Sequence, residues 1–347
     1  MSETKLTVGS MFSGIGGICL GFEQAGFKLV WANEYDAKAC ITYRENFRHK
    51  LIEGDVHNIL NPVEDAGRVD VITSGFPCQA FSVAGYRKGF SDPRGNLFFE
   101  TARFIDEIKP KAFLLENVKN LAHHDHGKTI KVIEDTVRNE LNYSFIQFIL
   151  NADEYGNIPQ CRARVYIVGF RGEGGFTFDP KLKKGETSVF DDAELYKCSS
   201  EFKVPQKIDL TVNPWDLIDS DKQLDKYYYK DSHMYHTRLD EAMQNPKSIY
   251  QWRRIYVREN KSGVCPTLTA NMGTGGHNVP IIRDRYGIRK LTPRECFSFQ
   301  GFPKSYKLPA VNDAALYKQA GNAVVVPVIK RIAEEIRRVL ELNQTKI

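Results

Sequence analysis

The strongest constraint on the fold is the regular alternation of short apolar runs and amphipathic stretches through the first half of the chain. The apolar runs have the length of strands and lie at residues 5–12, 28–33, 50–56, 69–76, 111–118, 144–151 and 164–171. The amphipathic stretches lie near residues 17–26, 36–47, 97–108 and 128–141. This alternation is typical of an α/β sheet, mostly parallel, with helices on both faces. Ligands of such sheets bind beyond the carboxyl ends of the strands, so motifs that directly follow these runs are expected to share one crevice.

The alternation ends after residue 171, and a second unit is expected to be inserted there. Residues 172–225 are acidic and without periodicity, whereas residues 226–261 combine basic side chains with tyrosines and a tryptophan. A glycine-rich loop follows, and regular structure is predicted to return near residue 283. We therefore predict one domain in two parts, 1–185 and 284–347, around a smaller domain at 186–283.

Composition and charge narrow the class of protein. The chain has 347 residues, 42% of them hydrophobic, which suits a globular core. A membrane protein is not expected, because no apolar run approaches the roughly 18 residues that a spanning helix needs. The seven cysteines are scattered without a C-x-x-C pair, which argues against disulfides and metal and favours a cytoplasmic location. Residues 226–347 hold 21 Lys and Arg against 10 Asp and Glu, which indicates a surface for a polyanion, and the hinge near residues 283–294 is expected to be part of it.

Motifs at the ends of the first three predicted strands indicate an adenosine site. The first strand ends in Phe12-Ser13-Gly14-Ile15-Gly16-Gly17, where glycines permit a tight turn and a close approach of a ligand to the backbone. Glu34 ends the second strand, where a carboxylate can bind ribose hydroxyls. Asp55 follows the third, where it can accept a hydrogen bond from an adenine amino group. The spacing G-x-G-G differs from the G-x-G-x-x-G of dinucleotide sites and favours a singly charged adenosyl ligand over NAD.

Candidate reactive side chains follow the later strands. Cys78 comes directly after the fourth strand in Gly75-Phe76-Pro77-Cys78-Gln79, where a thiolate could project into the crevice. Glu116 ends the fifth strand behind three apolar residues, and partial desolvation would raise its pKa toward values suited to acid catalysis. Arg162 and Arg164 begin the last strand on one side of the backbone, where they could bind an electron-rich ring or stabilise the thiolate.

Together these motifs resemble the C5-cytosine DNA methyltransferase family. The resemblance rests on residues 12–17 and 75–79, on Glu116-Asn117-Val118, on Gln160-x-Arg162-x-Arg164 and on Gly321-Asn322-Ala323, in matching order and spacing. Residues 289–295 are similar to the hinge motif of the family. Residue 163 is Ala where the family often has Glu, and the loop before Arg162 is one residue longer than its commonest form. The resemblance implies a Rossmann-like methyltransferase sheet dependent on S-adenosylmethionine, with an inserted target-recognition domain.

The resemblance also implies a reaction and the residues that perform it. The protein would transfer a methyl group from S-adenosylmethionine to C5 of a cytosine flipped out of double-stranded DNA, with S-adenosylhomocysteine as product. Cys78 would add to C6 of the ring and Glu116 would bond N3 and the exocyclic amine. Arg164 would contact O2 or N3, and Arg162 would support the loop or the thiolate. The residues implied in cofactor binding are Phe12, Gly14, Ile15, Gly17, Glu34, Asp55, Pro77, Leu97, Asn322 and Ala323.

Contacts with DNA are expected from two places in the chain. The resemblance implies that residues 81–95 form a loop that closes behind the flipped base. The recognition block at 226–283 carries side chains suited to bidentate contacts with bases, although a single arginine more often contacts phosphate. The residues predicted to contact DNA are Gln79, Ser82, Arg94, Gln251, Arg253, Arg254, Arg258 and Asn271.

The leading expectation is a sequence-specific, bacterial DNA methyltransferase of the restriction–modification type or a solitary one. It is expected to be monomeric, to associate with the nucleoid when bound to DNA, and to have no membrane partner. A cognate restriction endonuclease could share the host without direct contact. Three alternatives stay open: a tRNA cytosine-C5 methyltransferase on the same scaffold, a non-catalytic DNA-binding protein, and an NAD-dependent oxidoreductase.

Overall fold

The computed structural model describes residues 5–77, 97–172, 200–253, 255–274 and 278–344. The larger of the two sheets within these ranges comprises β1 (Thr7–Met11), β2 (Lys28–Glu34), β3 (Lys50–Glu53), β4 (Val71–Ser74), β5 (Ala112–Val118), β6 (Ile146–Asn151) and β7 (Ala163–Phe170). Its order is β3-β2-β1-β4-β5-β7-β6. The first five strands are parallel, and β7 is antiparallel to both of its neighbours. A mostly parallel sheet built from these apolar runs, as the sequence predicts, is therefore confirmed.

Helices cover both faces of the large sheet. The helices of the described residues are α1 (Gly17–Gln24), α2 (Ala37–Asn46), α3 (Pro62–Asp65), α4 (Leu97–Ile108), α5 (Lys128–Asp135), α6 (Ala152–Tyr155), α7 (His236–Ala242), α8 (Pro293–Ser298), α9 (Asp313–Asn322) and α10 (Val326–Gln344). In β5, Leu114 packs into one core with α1 and α10, whereas its neighbours Phe113 and Leu115 pack into a second core with α4 and α5. Successive strand residues point to opposite faces, so an apolar strand fills both cores. None of these helices is long and apolar enough to cross a membrane.

A second, antiparallel sheet lies in the predicted insertion. It consists of β8 (Tyr250–Arg253), β9 (Tyr256–Glu259), β10 (Ile281–Asp284) and β11 (Gly287–Lys290), in the order β11-β10-β8-β9. A small core of its own supports it, which includes Leu239 of α7, Trp252 and Ile288. The sheet extends to Lys290, past the boundary predicted at residue 283.

The acidic connector before the second sheet packs against the large-sheet part of the molecule where the structure describes it. Phe202 joins the core beneath α10, and the backbone N–H of Lys203 donates to Glu335 at 2.7 Å. Farther along, Trp215 and Leu217 pack on a core that contains residues of α8 and α9. Residues 200–217 are therefore held by the larger unit rather than by the small sheet.

The expectation of a basic hinge that faces a polyanion is wrong for three arginines between residues 283 and 294, although Arg285 in the same range is exposed. Arg289 is fully buried, and its guanidinium binds both carboxylate oxygens of Glu295 at 2.8 and 2.9 Å and Asp284 at 2.6 Å. Arg283 pairs with Asp240 at 2.7 Å. Half-buried Arg294 donates to the backbone carbonyl of Tyr306 at 2.6 Å. Burying unpaired charge is costly, and the buried charge of Arg289 is matched by two carboxylates, whereas Arg283 pairs with one carboxylate at the surface and Arg294 bonds a carbonyl.

Candidate active site

A cleft of about 760 Å³ opens where the parallel strands of the large sheet end. Its wall contains residues that follow β1, β2, β3 and β4, together with the carboxyl end of β5 and the end of α9. The prediction that the strand-end motifs share one crevice is confirmed by this lining. The cleft brings together Phe12, Gly14, Ile15, Gly17, Glu34, Asp55, Pro77, Leu97, Glu116, Arg162, Arg164, Asn322 and Ala323.

The glycine turn after β1 is fixed by the carboxylate of Glu34. Gly14 has a φ of +55°, which side chains rarely adopt, and its backbone N–H donates to Glu34 Oε2 at 2.6 Å. The other oxygen, Oε1, accepts from the backbone N–H groups of Tyr35 and Asp36 at 2.9 and 2.7 Å. Three backbone donors thus hold this carboxylate at the edge of the cleft.

Asp55 follows β3, and its carboxylate is held by His57 rather than by several backbone N–H groups as Glu34 is. Its Oδ1 accepts from the backbone N–H of His57 at 3.0 Å and lies 2.6 Å from His57 Nδ1. These hydrogen bonds from His57, the backbone one above all, lower the pKa of the Asp55 carboxyl. The carboxylate therefore stays ionised and can accept a hydrogen bond from a ligand.

Glu116 and Arg164 form an ion pair in the wall of the cleft. They lie on neighbouring antiparallel strands, with Glu116 opposite Tyr166 and Arg164 opposite Val118. Arg164 Nε is 3.3 Å from Glu116 Oε1, and both side chains are largely buried. Burial raises the pKa of the Glu116 carboxyl, and the positive charges of Arg164 and Arg162 only partly oppose that shift. The pair can therefore present both a proton and a positive charge to a bound ring.

Arg162 holds backbone rather than side chains in the described structure. Its guanidinium is buried and donates to the carbonyls of Leu268 and Ala323, each at 2.6 Å, and to that of Gly321 at 3.1 Å. These carbonyls belong to segments that line the cleft from two distant parts of the chain. Of the roles considered for Arg162, support of a loop fits these contacts.

Several predicted residues fall outside the described ranges. They are the candidate nucleophile and four predicted DNA contacts: Cys78, Gln79, Ser82, Arg94 and Arg254. Pro77, which directly precedes Cys78, lines the cleft together with Glu116. The loop predicted at 81–95 likewise lies outside these ranges.

The described base contacts predicted within residues 226–283 divide into exposed and buried ones. Arg253, Arg258 and Asn271 are exposed. Gln251 is only 5% exposed, and its amide Nε2 donates to the carbonyl of Asn278 at 3.4 Å. Its burial argues against a base contact and for a role within the sheet. Its neighbours Tyr250 and Trp252 are buried as well, and this burial on both faces of the strand follows from packing that the local sequence does not display.

Some residues of the cleft were not predicted from the sequence. Tyr35 and His57 could have been found, because each lies within two residues of a predicted carboxylate at a strand end. Residues 268–270 and 318–319 gave no local signal, since packing brings them to the cleft from far along the chain. The described residues contain no group of three or more His, Cys, Asp or Glu side chains that could hold a metal ion.

The sheet order and the strand-end cleft define an α/β fold of the methyltransferase class, and solved structures share it. A DNMT2 variant from Spodoptera frugiperda superposes with a TM-score of 0.69 over 96% of this chain and 99% of its own, at 20% sequence identity. At that identity the likeness concerns the fold alone.

Sequence comparison adds the family. The model for C-5 cytosine-specific DNA methylases matches residues 6–338, and the chain belongs to that family. It is 54% identical to the type II methyltransferase M.Bsp6I of Bacillus sp. (strain RFL6), over 95% of this chain and 98% of the relative. It is 36% identical to M.HhaI of Haemophilus parahaemolyticus, over 96% and 94% of the two chains. The protein is thus a DNA (cytosine-5-)-methyltransferase, and the family favours this reading over the tRNA, non-catalytic and oxidoreductase alternatives.

Proposed function

We propose that the protein methylates C5 of a cytosine flipped out of duplex DNA, with S-adenosylmethionine as methyl donor and Cys78 as covalent nucleophile. The observation that carries the proposal is the shared cleft. One side holds the glycine turn with Glu34 and Asp55, and the other holds the Glu116–Arg164 pair next to Pro77. A methyl donor and an acceptor ring could meet there.

The residues on the cofactor side fit an adenosyl ligand. The volume of about 760 Å³ lies within the range of small-molecule clefts, roughly 300–1,000 Å³. A carboxylate can accept about four hydrogen bonds, so Glu34, with three backbone donors, keeps room for a ribose hydroxyl. Asp55 Oδ2 receives no hydrogen bond from the described residues and suits an adenine amino group. When bound, S-adenosylmethionine supplies an electrophilic methyl group on a positively charged sulfur.

The acceptor side fits a cytosine that is activated by addition. Carbon 5 of cytosine is a poor nucleophile, and addition of the Cys78 thiolate at C6 converts the C5–C6 bond into an enamine. Glu116, with its raised pKa, can donate a proton to N3 and accept from the exocyclic amine, which offsets the negative charge that develops on the ring. After methylation, loss of the C5 proton to a base and elimination of Cys78 restore the aromatic ring and the thiolate.

Access to the ring requires the base to leave the duplex, since C6 cannot be reached from above inside the stack. The exposed Arg253, Arg258 and Asn271 support binding of DNA by the small-sheet domain, with residues 186–283 as the proposed recognition domain. The relatives named as type II methyltransferases support a role in restriction–modification. We further infer a cytoplasmic monomer, whose cognate endonuclease, if the host has one, acts separately.

The test is transfer of tritium from labelled S-adenosylmethionine to duplex DNA. Wild-type protein is expected to label DNA but not tRNA, and Cys78→Ser is expected to be inactive while it still binds S-adenosylhomocysteine. A duplex with 5-fluorocytosine at the target, which bisulfite sequencing would identify, should trap a covalent adduct that Cys78→Ser lacks. Full transfer by Cys78→Ser would contradict the proposed nucleophile.

A further inference from the structure

His57 is a polar residue of the cleft to which the proposed function assigns no role. His57 lines the cleft beside Asp55, and its imidazole Nδ1 lies 2.6 Å from Asp55 Oδ1. Both side chains are partly exposed, at 39% for His57 and 47% for Asp55, so a ligand can reach them. Neither the glycine turn nor the acceptor side of the cleft contacts this imidazole through any described hydrogen bond.

The two strand-end carboxylates of the cleft differ in what holds them. Glu34 receives three backbone N–H groups, from Gly14, Tyr35 and Asp36, and needs no side chain to fix its orientation. Asp55 receives a single backbone N–H, that of His57. A carboxylate with one donor can rotate, and fixing it on ligand binding costs conformational entropy. The imidazole supplies the second donor that the backbone does not provide.

Both donors to Asp55 converge on the same oxygen. Oδ1 takes the backbone N–H and the imidazole N–H of His57, whereas no described group donates to Oδ2. With Nδ1 as the donor, the ring is held in one tautomer and one orientation. The carboxylate is thereby preorganised, with Oδ2 as the acceptor that is left for a ligand.

We propose that His57 is a positioning residue for the cofactor, which holds Asp55 so that Oδ2 accepts from the 6-amino group of the adenine. The inference rests on the proposed use of an adenosyl cofactor and extends it to a residue that the strand-end motifs did not include. His57 acts through Asp55 and touches no reacting atom, so it affects cofactor affinity and not the chemical step.

The test is calorimetric binding of S-adenosylhomocysteine to the full-length protein. Loss of one such hydrogen bond, about 0.5–1.5 kcal/mol, corresponds to a dissociation constant raised about two- to tenfold in His57→Ala. His57→Asn, whose amide nitrogen can take the place of Nδ1, is expected to restore most of the affinity. His123→Ala, which removes an exposed histidine outside the cleft lining, is the matched control and should bind like the wild type.

A second ligand separates positioning from a general structural effect. An analogue of S-adenosylhomocysteine with hydrogen in place of the 6-amino group offers Asp55 nothing to bind. His57→Ala should therefore bind this analogue as well as the wild type does, and should raise KM for S-adenosylmethionine without lowering kcat. In an Asp55→Ala background, His57→Ala should add no further loss.

The possible failures are distinguishable. An equal loss of affinity for both ligands, an additive loss in the Asp55→Ala background, or unchanged affinity in His57→Ala would each overturn the role of His57. Failure of the wild-type protein to bind S-adenosylhomocysteine at all would contradict the proposed cofactor, and the inference would fall with it.

Discussion

Glu116 and Arg162 lie at the same edge of the large sheet, and their surroundings give them different tasks. Glu116 pairs with Arg164 across two strands and faces the cleft, so it is placed to touch a substrate. Arg162 has its hydrogen bonds on three backbone carbonyls and is placed to hold the cleft wall. At the scale of single residues, these partners distinguish a side chain that is available to a substrate from one that holds the protein's own backbone.

The raised pKa of Glu116 predicts how activity depends on pH. Burial favours the neutral carboxyl, so the proton stays on Glu116 to a higher pH than on an exposed glutamate. Methyl transfer is expected to fall as pH rises through that pKa. Glu116→Gln should lower the single-turnover rate by about 10²–10⁴-fold and remove this alkaline limb, with cofactor binding unchanged. Exposed Glu64→Gln is the control, and a wild-type pH profile in Glu116→Gln would contradict the assignment.

The hydrogen bonds of Arg162 predict that its replacement lowers the stability of the folded protein. Arg162→Met would leave the buried carbonyls of Leu268, Gly321 and Ala323 without their donor, and each unsatisfied group costs about 1–3 kcal/mol. The free energy of unfolding in urea is expected to fall by about 3 kcal/mol or more. Arg258→Met, at an exposed position, should change it little, and an equally small change in Arg162→Met would refute the supporting role.

At the scale of elements, the hinge depends on a charged cluster between the hairpin β10–β11 and the helix α8. The helix begins at Pro293 with a capping box, in which Thr292 and Glu295 bond each other's backbone. The same Glu295 carboxylate binds buried Arg289 from β11 and the backbone N–H of Asp219 in the connector. One helix start therefore joins three separate segments of the chain.

Removal of two members of this cluster together should cost less free energy of unfolding than the sum of the two single removals. Arg289→Met leaves Glu295 and Asp284 as buried carboxylates without their cation, and such changes cost about 3–5 kcal/mol. The double variant Arg289→Met/Glu295→Gln removes one of these charges and should be less destabilised than the sum of the single variants. Urea unfolding in a double-mutant cycle measures this coupling, and strict additivity would show that the pair does not act as a unit.

At the scale of the whole molecule, the positive charge is distributed less simply than the sequence count indicates. Residues 226–347 hold 21 Lys and Arg, yet Arg283 and Arg289 pair with carboxylates and Arg294 donates to a backbone carbonyl. Exposed Arg253 ends β8, and exposed Arg258 lies in the neighbouring strand β9 opposite Gln251. DNA binding is therefore expected to depend on exposed arginines of the small sheet and not on Arg283, Arg289 and Arg294.

This distribution predicts the salt dependence of DNA binding. Each phosphate contact contributes about 0.9 to the slope of log K against log salt concentration. The double variant Arg253→Ala/Arg258→Ala should reduce the slope by about one to two and weaken DNA binding, without change in the affinity for S-adenosylhomocysteine. Arg48→Ala, an exposed arginine of the large unit, is the control. An unchanged slope in fluorescence-anisotropy titrations over a salt series would show that these arginines do not meet phosphates.

The large sheet and most of the cleft could be predicted from the sequence, because each strand and the motif that follows it are contiguous in the chain. Seven apolar runs became seven strands, and residues that end or follow them, among them Gly14, Glu34, Asp55 and Glu116, meet at one edge because parallel strands align their carboxyl ends. A strand and the residues that directly follow it are adjacent in the chain, so their pattern can be recognised in a single sequence.

The sequence did not show which polar side chains form hydrogen bonds and ion pairs within the protein, because their partners are brought close only by folding. The partners of Arg162 lie more than a hundred residues away, and the burial of Gln251 follows from its packing within the small sheet. Nothing in the sequence indicated that Arg283, Arg289 and Arg294 bond other groups of the protein. The carboxylates and the carbonyl that they contact come close to them only in the folded chain. Charge and hydrogen-bonding capacity are properties of a residue, whereas their availability to DNA or cofactor is a property of the packed molecule.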